Sequence, residues 1–225
     1  MPKNNMSAYN SDEYDGKVRF TLPYYNEFHN QVTDIVSTIN KDNIKWLDTG
    51  CGTGTLACKV IETVEKNIDF TLCDISTDML EIAQGKLKGH KNVTFRNVPS
   101  QNLDYKDEFD VVSAVQSHHY LSVEERKKAV LKCFDALVDG GAFIVFENIK
   151  FADKVIDDTA LKRWGNFMIK NGRTEEHVQK HMARRGTEIF PITVKEHLSL
   201  LKECGFRSVD LVWLSYMQAG FIGIK

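Results

Sequence analysis

A glycine-rich turn constrains the fold of this chain more than any other feature of its sequence. The turn, DTGCGTG at 48–54, follows a short apolar segment at 44–48 and precedes a helix-like segment at 55–65. Glycine lets the backbone turn tightly and approach a ligand without a Cβ in the way. Asp74 ends the next apolar segment, twenty residues after the last glycine of the turn, where a carboxylate can accept both hydroxyls of a ribose. This spacing predicts a nucleotide-type site at the carboxyl end of a strand.

Strand-like and helix-like segments alternate along the rest of the chain. The predicted strands are 44–48, 68–74, 93–97, 109–115, 142–147, 207–215 and 217–225. Five strand-then-helix repeats imply a parallel sheet with helices on both faces, whereas the last two strands lack a helix between them and should form an antiparallel hairpin. We predict an α/β fold in a single domain over 1–225, with a Rossmann-like, seven-stranded, mostly parallel sheet, a C-terminal antiparallel hairpin and a helical cap insertion.

Two segments lie outside this alternation. Residues 1–40 are predicted to form an N-terminal arm or lid, with a mobile polar stretch up to about residue 17 and an amphipathic helix over 23–39. Residues 150–190 are mostly polar and helix-like, and we expect them to form a helical cap over the carboxyl ends of the strands.

Composition narrows the classes of protein that this chain can represent. The 225 residues carry a formal net charge of -2, which argues against nucleic acid as the main partner, because phosphate binding usually requires a basic excess. The five cysteines are odd in number and form no C-x-x-C pair, so we expect reduced thiols rather than a disulfide framework or a zinc ribbon. No run of 18 apolar residues and no signal-peptide core are visible. We therefore expect a cytoplasmic protein without a membrane partner.

The glycine spacing discriminates between cofactor classes. A dinucleotide fold requires G-x-G-x-x-G, and here the third position falls on Thr55, which makes a nicotinamide-dependent dehydrogenase the poorest interpretation. A P-loop is excluded because no Gly-Lys-Ser/Thr follows. The observed G-x-G-x-G, with an acid two residues before its first glycine, resembles motif I of the class I S-adenosylmethionine (SAM) dependent methyltransferases. Further similar stretches are DIS at 74–76, FDVVSAVQSHHYL at 109–121, LVDGGAFIVFE at 137–147 and the closing hairpin.

The resemblance covers about residues 24–225 and implies that SAM is the cofactor. The turn residues whose backbone would face the methionine part are Gly50, Cys51, Gly52 and Gly54. Asp48 would orient the turn and meet the amino group of SAM, Asp74 would hold the ribose hydroxyls, and Ile75 would lie against adenine. Gln116 and Ser117, after the fourth strand, would line the face of methyl transfer.

One loop departs from the family pattern. Members often carry an aspartate after the third strand, where it accepts a hydrogen bond from the adenine amino group. Here that loop reads VPSQNL at 98–103, with Pro99 in the place of the acid. We expect Ser100 or Gln101 to substitute for it, through side chain or backbone.

Methyl transfer from a sulfonium needs alignment and exclusion of water more than it needs a catalytic group. A base is required only when the acceptor is protonated at the working pH. His118 and His119 follow the fourth strand and are the candidate bases, although such a pair also occurs as a structural loop element. Tyr24 is a third catalytic candidate, because in similar proteins the N-terminal segment folds over the cofactor, and Arg19 could hold a carboxylate there.

Metal chemistry has little support in the sequence. His177 and His181 are four residues apart, a spacing that permits metal binding on one helical face. No third ligand is evident and H-E-x-x-H is absent, so a solvated helix face is the better interpretation and no metal is predicted.

These observations lead to a SAM-dependent methyltransferase that acts on a small-molecule acceptor, with a homodimer as one expectation for its assembly. Two alternatives stay open. The first is the same fold acting on tRNA or protein, because RFTLPYY at 19–25 is similar to a short stretch of the carboxy-SAM enzymes of tRNA wobble-uridine modification. The second is a non-catalytic SAM-binding module.

Overall fold

A single seven-stranded sheet forms the centre of the molecule. The computed structural model describes residues 6–225. Its strands are β1 Asn43–Thr49, β2 Asn67–Asp74, β3 Val93–Asn97, β4 Phe109–Val115, β5 Leu137–Asn148, β6 Ser208–Ser215 and β7 Gln218–Ile224. They lie in the order β3-β2-β1-β4-β5-β7-β6, with β1 to β5 parallel and β7 antiparallel to both β5 and β6. The predicted fold class, including the C-terminal hairpin, is confirmed.

Helices cover both faces of the sheet. Their bounds are α1 Ser11–Lys17, α2 Tyr25–Ser37, α3 Thr55–Thr63, α4 Thr77–Lys86, α5 Val123–Ala136, α6 Lys154–Lys170, α7 Glu175–Ala183 and α8 Val194–Glu203. Ser122 and Thr193 each begin a helix with a capping box, in which the side chain and a glutamate three residues on satisfy each other's backbone N–H groups. None of the helices within 6–225 is long and apolar enough to cross a membrane.

The core consists of one apolar cluster on each face of the sheet. Phe28 of α2 packs with Trp46 and Phe146 on one face, and Phe143 packs with Phe206 and Phe221 on the other. Strands in the middle of the sheet are buried on both faces, which explains their continuous apolar runs. The chain passes from β1 outward to β3 and then returns to β4 on the other side of β1. A crevice at the carboxyl ends of β1 and β4 is therefore the expected place for a ligand.

The N-terminal segment is more ordered than its composition suggests. The sequence predicts a mobile stretch up to about residue 17, whereas residues 11–17 form α1; residues 1–5 lie outside the described residues. The carboxylate of Asp15 explains the difference. It accepts hydrogen bonds from Thr53 at 2.7 Å and Thr55 at 3.1 Å, and it lies 2.5 Å from the Lys86 ammonium. These contacts hold α1 over the glycine turn.

The insertion at 150–190 holds α6 and α7, which pack against the end of the sheet. Trp164 is buried with Met168 and Met217 in a small third cluster. The Trp164 indole N–H donates to the carbonyl of Thr21 at 2.7 Å, and Arg173 donates to the carbonyl of Lys17 at 2.8 Å. The inserted helices and the N-terminal segment are therefore joined directly to each other.

Candidate functional site

The glycine turn is fixed to the strand beside it and to the loop after β4. The backbone N–H groups of Gly50 and Cys51 donate to the carbonyl of Cys73, at 2.7 and 3.0 Å. Gly50 has φ +71°, a region that favours glycine. A Cβ at Gly50 would lie 2.4 Å from the Cβ of Ser117. The turn and the loop after β4 therefore form one continuous wall, which a larger residue at Gly50 would push apart.

Asp74 connects the end of β2 to the glycine turn. Its Oδ2 accepts the backbone N–H of Gly52 and its Oδ1 accepts that of Ser76, both at 2.8 Å. Burial raises the pKa of the Asp74 carboxyl, and backbone hydrogen bonds from Ser76, Gly52 and Ile75 oppose that rise. The carboxylate is thus oriented before any ligand arrives.

Asp48 lies beneath the turn at the end of β1. The Ser113 hydroxyl donates to its Oδ1 at 2.6 Å and in turn accepts from the indole N–H of Trp46 at 2.8 Å. Burial raises the pKa of Asp48 to about 7; the Ser113 hydrogen bond lowers it and the negative charge of Asp74 raises it further. The Asp48 carboxyl can therefore take up or release a proton near neutral pH, and a positive charge beside it favours release.

A cavity of about 320 Å³ opens at the carboxyl ends of β1, β2 and β4; we call it the main cavity. The predicted cofactor residues that line it are Gly50, Gly52, Asp74, Ile75, Ser100, Gln101 and Gln116. Ile75, Met79, Val98 and Pro99 give one end an apolar lining. Ser100 is held by a 2.7 Å hydrogen bond between its hydroxyl and that of Thr49. The cavity thus has a polar end at the turn and an apolar end near Pro99.

Two smaller pockets of about 40 Å³ each adjoin the main cavity. The first, which we call the turn pocket, lies under the glycine turn and is lined by Asp48, Cys51, Thr53, Tyr25 and His29, among others. The second, which we call the lid pocket, lies beneath the N-terminal segment and is lined by Tyr9, His119, Asn148, His181 and Arg184, among others.

Two residues, Tyr14 and Gln116, line the main cavity, the turn pocket and the lid pocket alike. Tyr14 comes from α1, and its hydroxyl shares a hydrogen bond with Tyr25. Gln116 has φ +56° and its backbone N–H donates to the carbonyl of Phe146 at 2.7 Å. The Gln116 Nε2 is buried and has no hydrogen-bond partner among residues 6–225. The point where the three spaces meet therefore contains an unsatisfied amide donor.

The two adjacent histidines after β4 differ in their surroundings. Both are buried, and His118 lines the main cavity whereas His119 lines the lid pocket. Burial lowers the pKa of His118 to about 4, and neither of its ring nitrogens has a partner within the described residues. The Nδ1 of His119 lies 2.8 Å from Oε2 of Glu147. His118 is therefore a neutral, packed side chain, and His119 belongs to a polar pair.

Three predicted site residues lie elsewhere. Tyr24 has φ +56° and α2 begins only at Tyr25, so the Tyr24 side chain turns outward, is 56% exposed and packs beside Tyr216. Arg19 is exposed, with its guanidinium over the ring of Phe20. Gly54 begins α3 and faces α4, where an added Cβ would lie 3.0 Å from Ala83. None of the three lines the main cavity, the turn pocket or the lid pocket, so the structure does not bring them together with the other predicted site residues.

The structure also adds residues to the site. Tyr14 lines all three spaces, whereas Tyr24 lines none of them, and Asn148 lines the lid pocket next to Glu147 in β5. Glu147 ends an apolar strand, and side chains at the carboxyl ends of parallel strands are the usual functional positions. The position of Glu147 at the end of a predicted strand could therefore have marked it as a site residue from the sequence.

The five cysteines and the pair His177 and His181 are the remaining candidates for thiol or metal chemistry. All five cysteines are free, and burial raises the pKa of the Cys51 thiol well above its ordinary value. Within the described part of the chain, no group of three or more His, Cys, Asp or Glu side chains is arranged around a metal site. His181 is half-buried with its ring edge-on to that of Trp164, and His177 pairs with the hydroxyl of Thr174.

Comparison with known proteins gives one family-model match and several full-length relatives. The model of a methyltransferase domain matches residues 47–141. A carboxy-S-adenosyl-L-methionine synthase of Nitratiruptor sp. is 27% identical, over 94% of this chain and 89% of its own. The enzyme of the same name from Staphylococcus epidermidis is 24% identical, over 97% of this chain and 95% of its own.

Two solved structures with a similar fold have names that describe them as putative methyltransferases. A putative S-adenosyl-L-methionine-dependent methyltransferase from Methanococcus maripaludis has a TM-score of 0.63 and 16% identity, and the match covers 100% of this chain and 96% of that one. A putative O-methyltransferase from Nostoc punctiforme has a TM-score of 0.68 and 17% identity, covering 96% of this chain and 60% of that one. At these identities the likeness extends to the fold alone.

Proposed function

We propose that the chain is a class I SAM-dependent methyltransferase, in line with its match to a methyltransferase-domain model over residues 47–141, and that it transfers a methyl group from SAM to a small-molecule acceptor bound in the lid pocket. SAM is the cofactor of this family, and it supplies a methyl group that is already activated on a sulfonium. The protein then has to hold the acceptor in line, at near-attack distance, and keep water out. Each of these tasks can be assigned to residues of this chain.

The residues at the main cavity suit the cofactor. Asp74 is a buried acceptor that lines the main cavity, and its two carboxylate oxygens suit ribose hydroxyls. The apolar end formed by Ile75, Val98 and Pro99 suits a flat base. In the turn pocket, the Asp48 carboxyl would pair with the amino group of the methionine part, and that positive charge would keep Asp48 ionised.

The observation that carries the proposal is the junction at Tyr14 and Gln116. Because both residues line all three spaces, a cofactor that extends from the main cavity into the turn pocket would present its methyl group toward the lid pocket. The unsatisfied Nε2 of Gln116 would find an acceptor atom on a bound ligand. Helix α1, held over the turn by Asp15, would exclude water from the junction.

The size of the lid pocket supports a small acceptor rather than a macromolecule. At about 40 Å³ it holds a few non-hydrogen atoms, and it lies between the N-terminal segment and the cap. The net charge of -2 favours the same conclusion.

Carboxy-SAM synthesis is a second candidate, and two observations favour it. The synthases from Nitratiruptor and Staphylococcus align with 94% and 97% of this chain, including lid and cap. The lid pocket also contains Arg184 and His181, and among residues 6–225 no Asp or Glu lines it, so a carboxylate placed there would meet donors rather than like charge.

One experiment separates these candidates. The purified protein is incubated with SAM and a small-molecule extract, and the products are identified by mass spectrometry. Formation of S-adenosylhomocysteine with an acceptor that gains one methyl group supports methyl transfer. Formation of a carboxylated SAM supports the second candidate. Binding of SAM in calorimetry without any conversion would contradict both and leave a binding module. The Asp74→Asn variant is the control for conversion that depends on this site.

A further inference from the structure

Glu147 links the end of β5 to the loop that follows β4. The side chain is completely buried. Its Oε1 accepts the backbone N–H of His118 at 3.0 Å, and its Oε2 lies 2.8 Å from Nδ1 of His119. Both carboxylate oxygens are thus committed to neighbouring residues of one loop, and that loop lines the main cavity and the lid pocket.

The charge on Glu147 decides where the proton of His119 resides. Burial alone would raise the pKa of Glu147, but His119, His118 and Arg126 outweigh that effect and bring it to about 2. An ionised carboxylate only accepts, so the Nδ1 of His119 must be the donor. The backbone N–H of Asn148 also approaches this nitrogen, at 3.5 Å, but the contact is much longer. In the neutral ring the lone pair then lies on Nε2.

Of the two adjacent histidines, His119 is the one whose surroundings suit a catalytic role. It lines the lid pocket, its ring packs 4.3 Å from that of Tyr120, and the backbone N–H of Phe190 in the insertion donates to its carbonyl at 2.7 Å. The loop is therefore held from the sheet side by Glu147 and from the cap side by Phe190.

We propose that Glu147 holds His119 as the Nδ1-protonated tautomer, so that the His119 Nε2 removes the proton of an acceptor hydroxyl during transfer. The proposal rests on methyl transfer as the function and names the acceptor class as hydroxyl compounds. As the acceptor oxygen forms its bond to the methyl carbon, its proton passes to Nε2. The bond between methyl and sulfur breaks, and its electron pair stays on sulfur, which becomes a neutral thioether. The imidazolium then returns its proton to water. Glu147 is a positioning residue and His119 the catalytic one.

Several other ionisable groups act on this pair, and a pH profile has to be interpreted with them in view. They are Arg126 on α5, His197 on α8, His118 in the same loop, and His181 and Arg184 in the cap. Burial lowers the pKa of His118 and His197 to about 4 and that of His181 to about 3. These three histidines are therefore neutral above pH 5.

The Glu147→Gln variant tests the tautomer without any acceptor. An amide has one oxygen, and the backbone N–H of His118 requires it, so the amide NH₂ would face Nδ1 of His119. Nδ1 would then have to accept, and the proton would move to Nε2. Nitrogen NMR of histidine-labelled protein loaded with S-adenosylhomocysteine distinguishes the two tautomers. We expect Nδ1–H in the wild type, Nε2–H in Glu147→Gln, and no change in Glu203→Gln, a matched change at the surface. Nε2–H in the wild type, or the same tautomer in Glu147→Gln, would overturn the role of Glu147.

Kinetics with the acceptor identified by mass spectrometry test the base. The His119→Asn variant should lose about 100-fold or more in kcat near pH 7, with unchanged affinity for S-adenosylhomocysteine. The loss should shrink as the pH rises toward the pKa of the acceptor hydroxyl, because the acceptor then ionises without help. A loss that is independent of pH, or an equal loss of cofactor affinity, would mean a structural role. If the wild type transfers no methyl group at all, the proposed function fails, and the tautomer measurement still decides on Glu147.

Discussion

The carboxylate of Asp15 accepts a hydrogen bond from the hydroxyl of Thr53 across 2.7 Å, which ties the N-terminal helix directly to the glycine turn. The same carboxylate lies 2.5 Å from the ammonium of Lys86 on α4. These contacts pull the pKa of Asp15 below its ordinary value, against the opposing effect of its partial burial. A single side chain thus joins the lid to the glycine turn, to α3 through Thr55 and to α4 through Lys86.

Removal of this connection should shorten the residence of the cofactor. In Asp15→Ala the lid loses its hydrogen bonds to Thr53 and Thr55, and at about 0.5–1.5 kcal/mol for such a contact the dissociation rate of S-adenosylhomocysteine should rise about 2- to 10-fold. Stopped-flow fluorescence measures that rate. Asp12→Ala, an exposed position on the same helix, should leave it unchanged, and equal rates in both variants would contradict a closing role for Asp15.

The glycine turn and Asp74 could be located from the sequence because their signal is local. A strand, a turn of fixed glycine spacing and a helix follow each other in the chain, and parallel strands bring their carboxyl ends to one edge. The position of Pro99 was informative for the same reason, since it falls at the apolar end of the main cavity.

Which residue of the N-terminal segment reaches the junction of the three spaces could not be predicted, because the answer depends on contacts distant in the chain. Tyr14 reaches the junction since Asp15, its neighbour, binds Thr53, and Tyr24 turns away since its backbone adopts a positive φ. Likewise, His119 and Glu147 meet only through the pairing of β4 with β5. A short helix with seven residues, such as α1, is also too polar to be distinguished from a mobile arm by composition.

Asp74→Asn should weaken cofactor binding, because it replaces one of the two carboxylate oxygens with an amide NH₂ group and both oxygens act as hydrogen-bond acceptors. The amide oxygen can accept from Gly52 or from Ser76, and the NH₂ group must then face the other backbone N–H. With hydrogen bonds to charged groups worth about 1.5–3 kcal/mol, the Kd for SAM should rise about 10- to 100-fold. Calorimetry checks this, and Asp78→Asn on the exposed first turn of α4 is the matched control. An unchanged Kd in Asp74→Asn would refute the ribose role.

Gly50→Ala should destabilise the fold more than Gly52→Ala does. Both positions have positive φ, which costs an alanine about 1–2 kcal/mol. Only at Gly50 would the new Cβ meet Ser117, at 2.4 Å, whereas at Gly52 it would meet nothing within 4 Å. We expect a further loss of about 1–3 kcal/mol in the free energy of unfolding of Gly50→Ala, measured by chemical denaturation. The double variant with Ser117→Gly should recover that further loss, and failure to do so would argue against a steric cause.

Buried histidines should make the stability of the protein depend on pH below neutrality. Burial lowers the pKa of four imidazoles in the folded protein. Their values fall to about 4 for His29, His118 and His197 and to about 3 for His181. In the unfolded chain the same rings bind protons below about pH 6.5. The unfolded chain therefore holds more protons between pH 6.5 and 4.5, and lowering the pH through that window lowers the free energy of unfolding.

Asp48 acts in the opposite sense, because its pKa of about 7 means that the folded protein keeps a proton which the unfolded chain has released. In the difference in bound protons between the unfolded and folded protein, Asp48 cancels the contribution of one of the four histidines. Each remaining proton changes the free energy of unfolding by about 1.4 kcal/mol per pH unit. Urea denaturation between pH 4.5 and 6.5 measures the slope of the free energy of unfolding against pH. His181→Gln should reduce this slope by the contribution of about one proton. His90→Gln, at an exposed position, should leave it unchanged. A stability that does not vary over this range would show that the buried rings carry protons in the folded state.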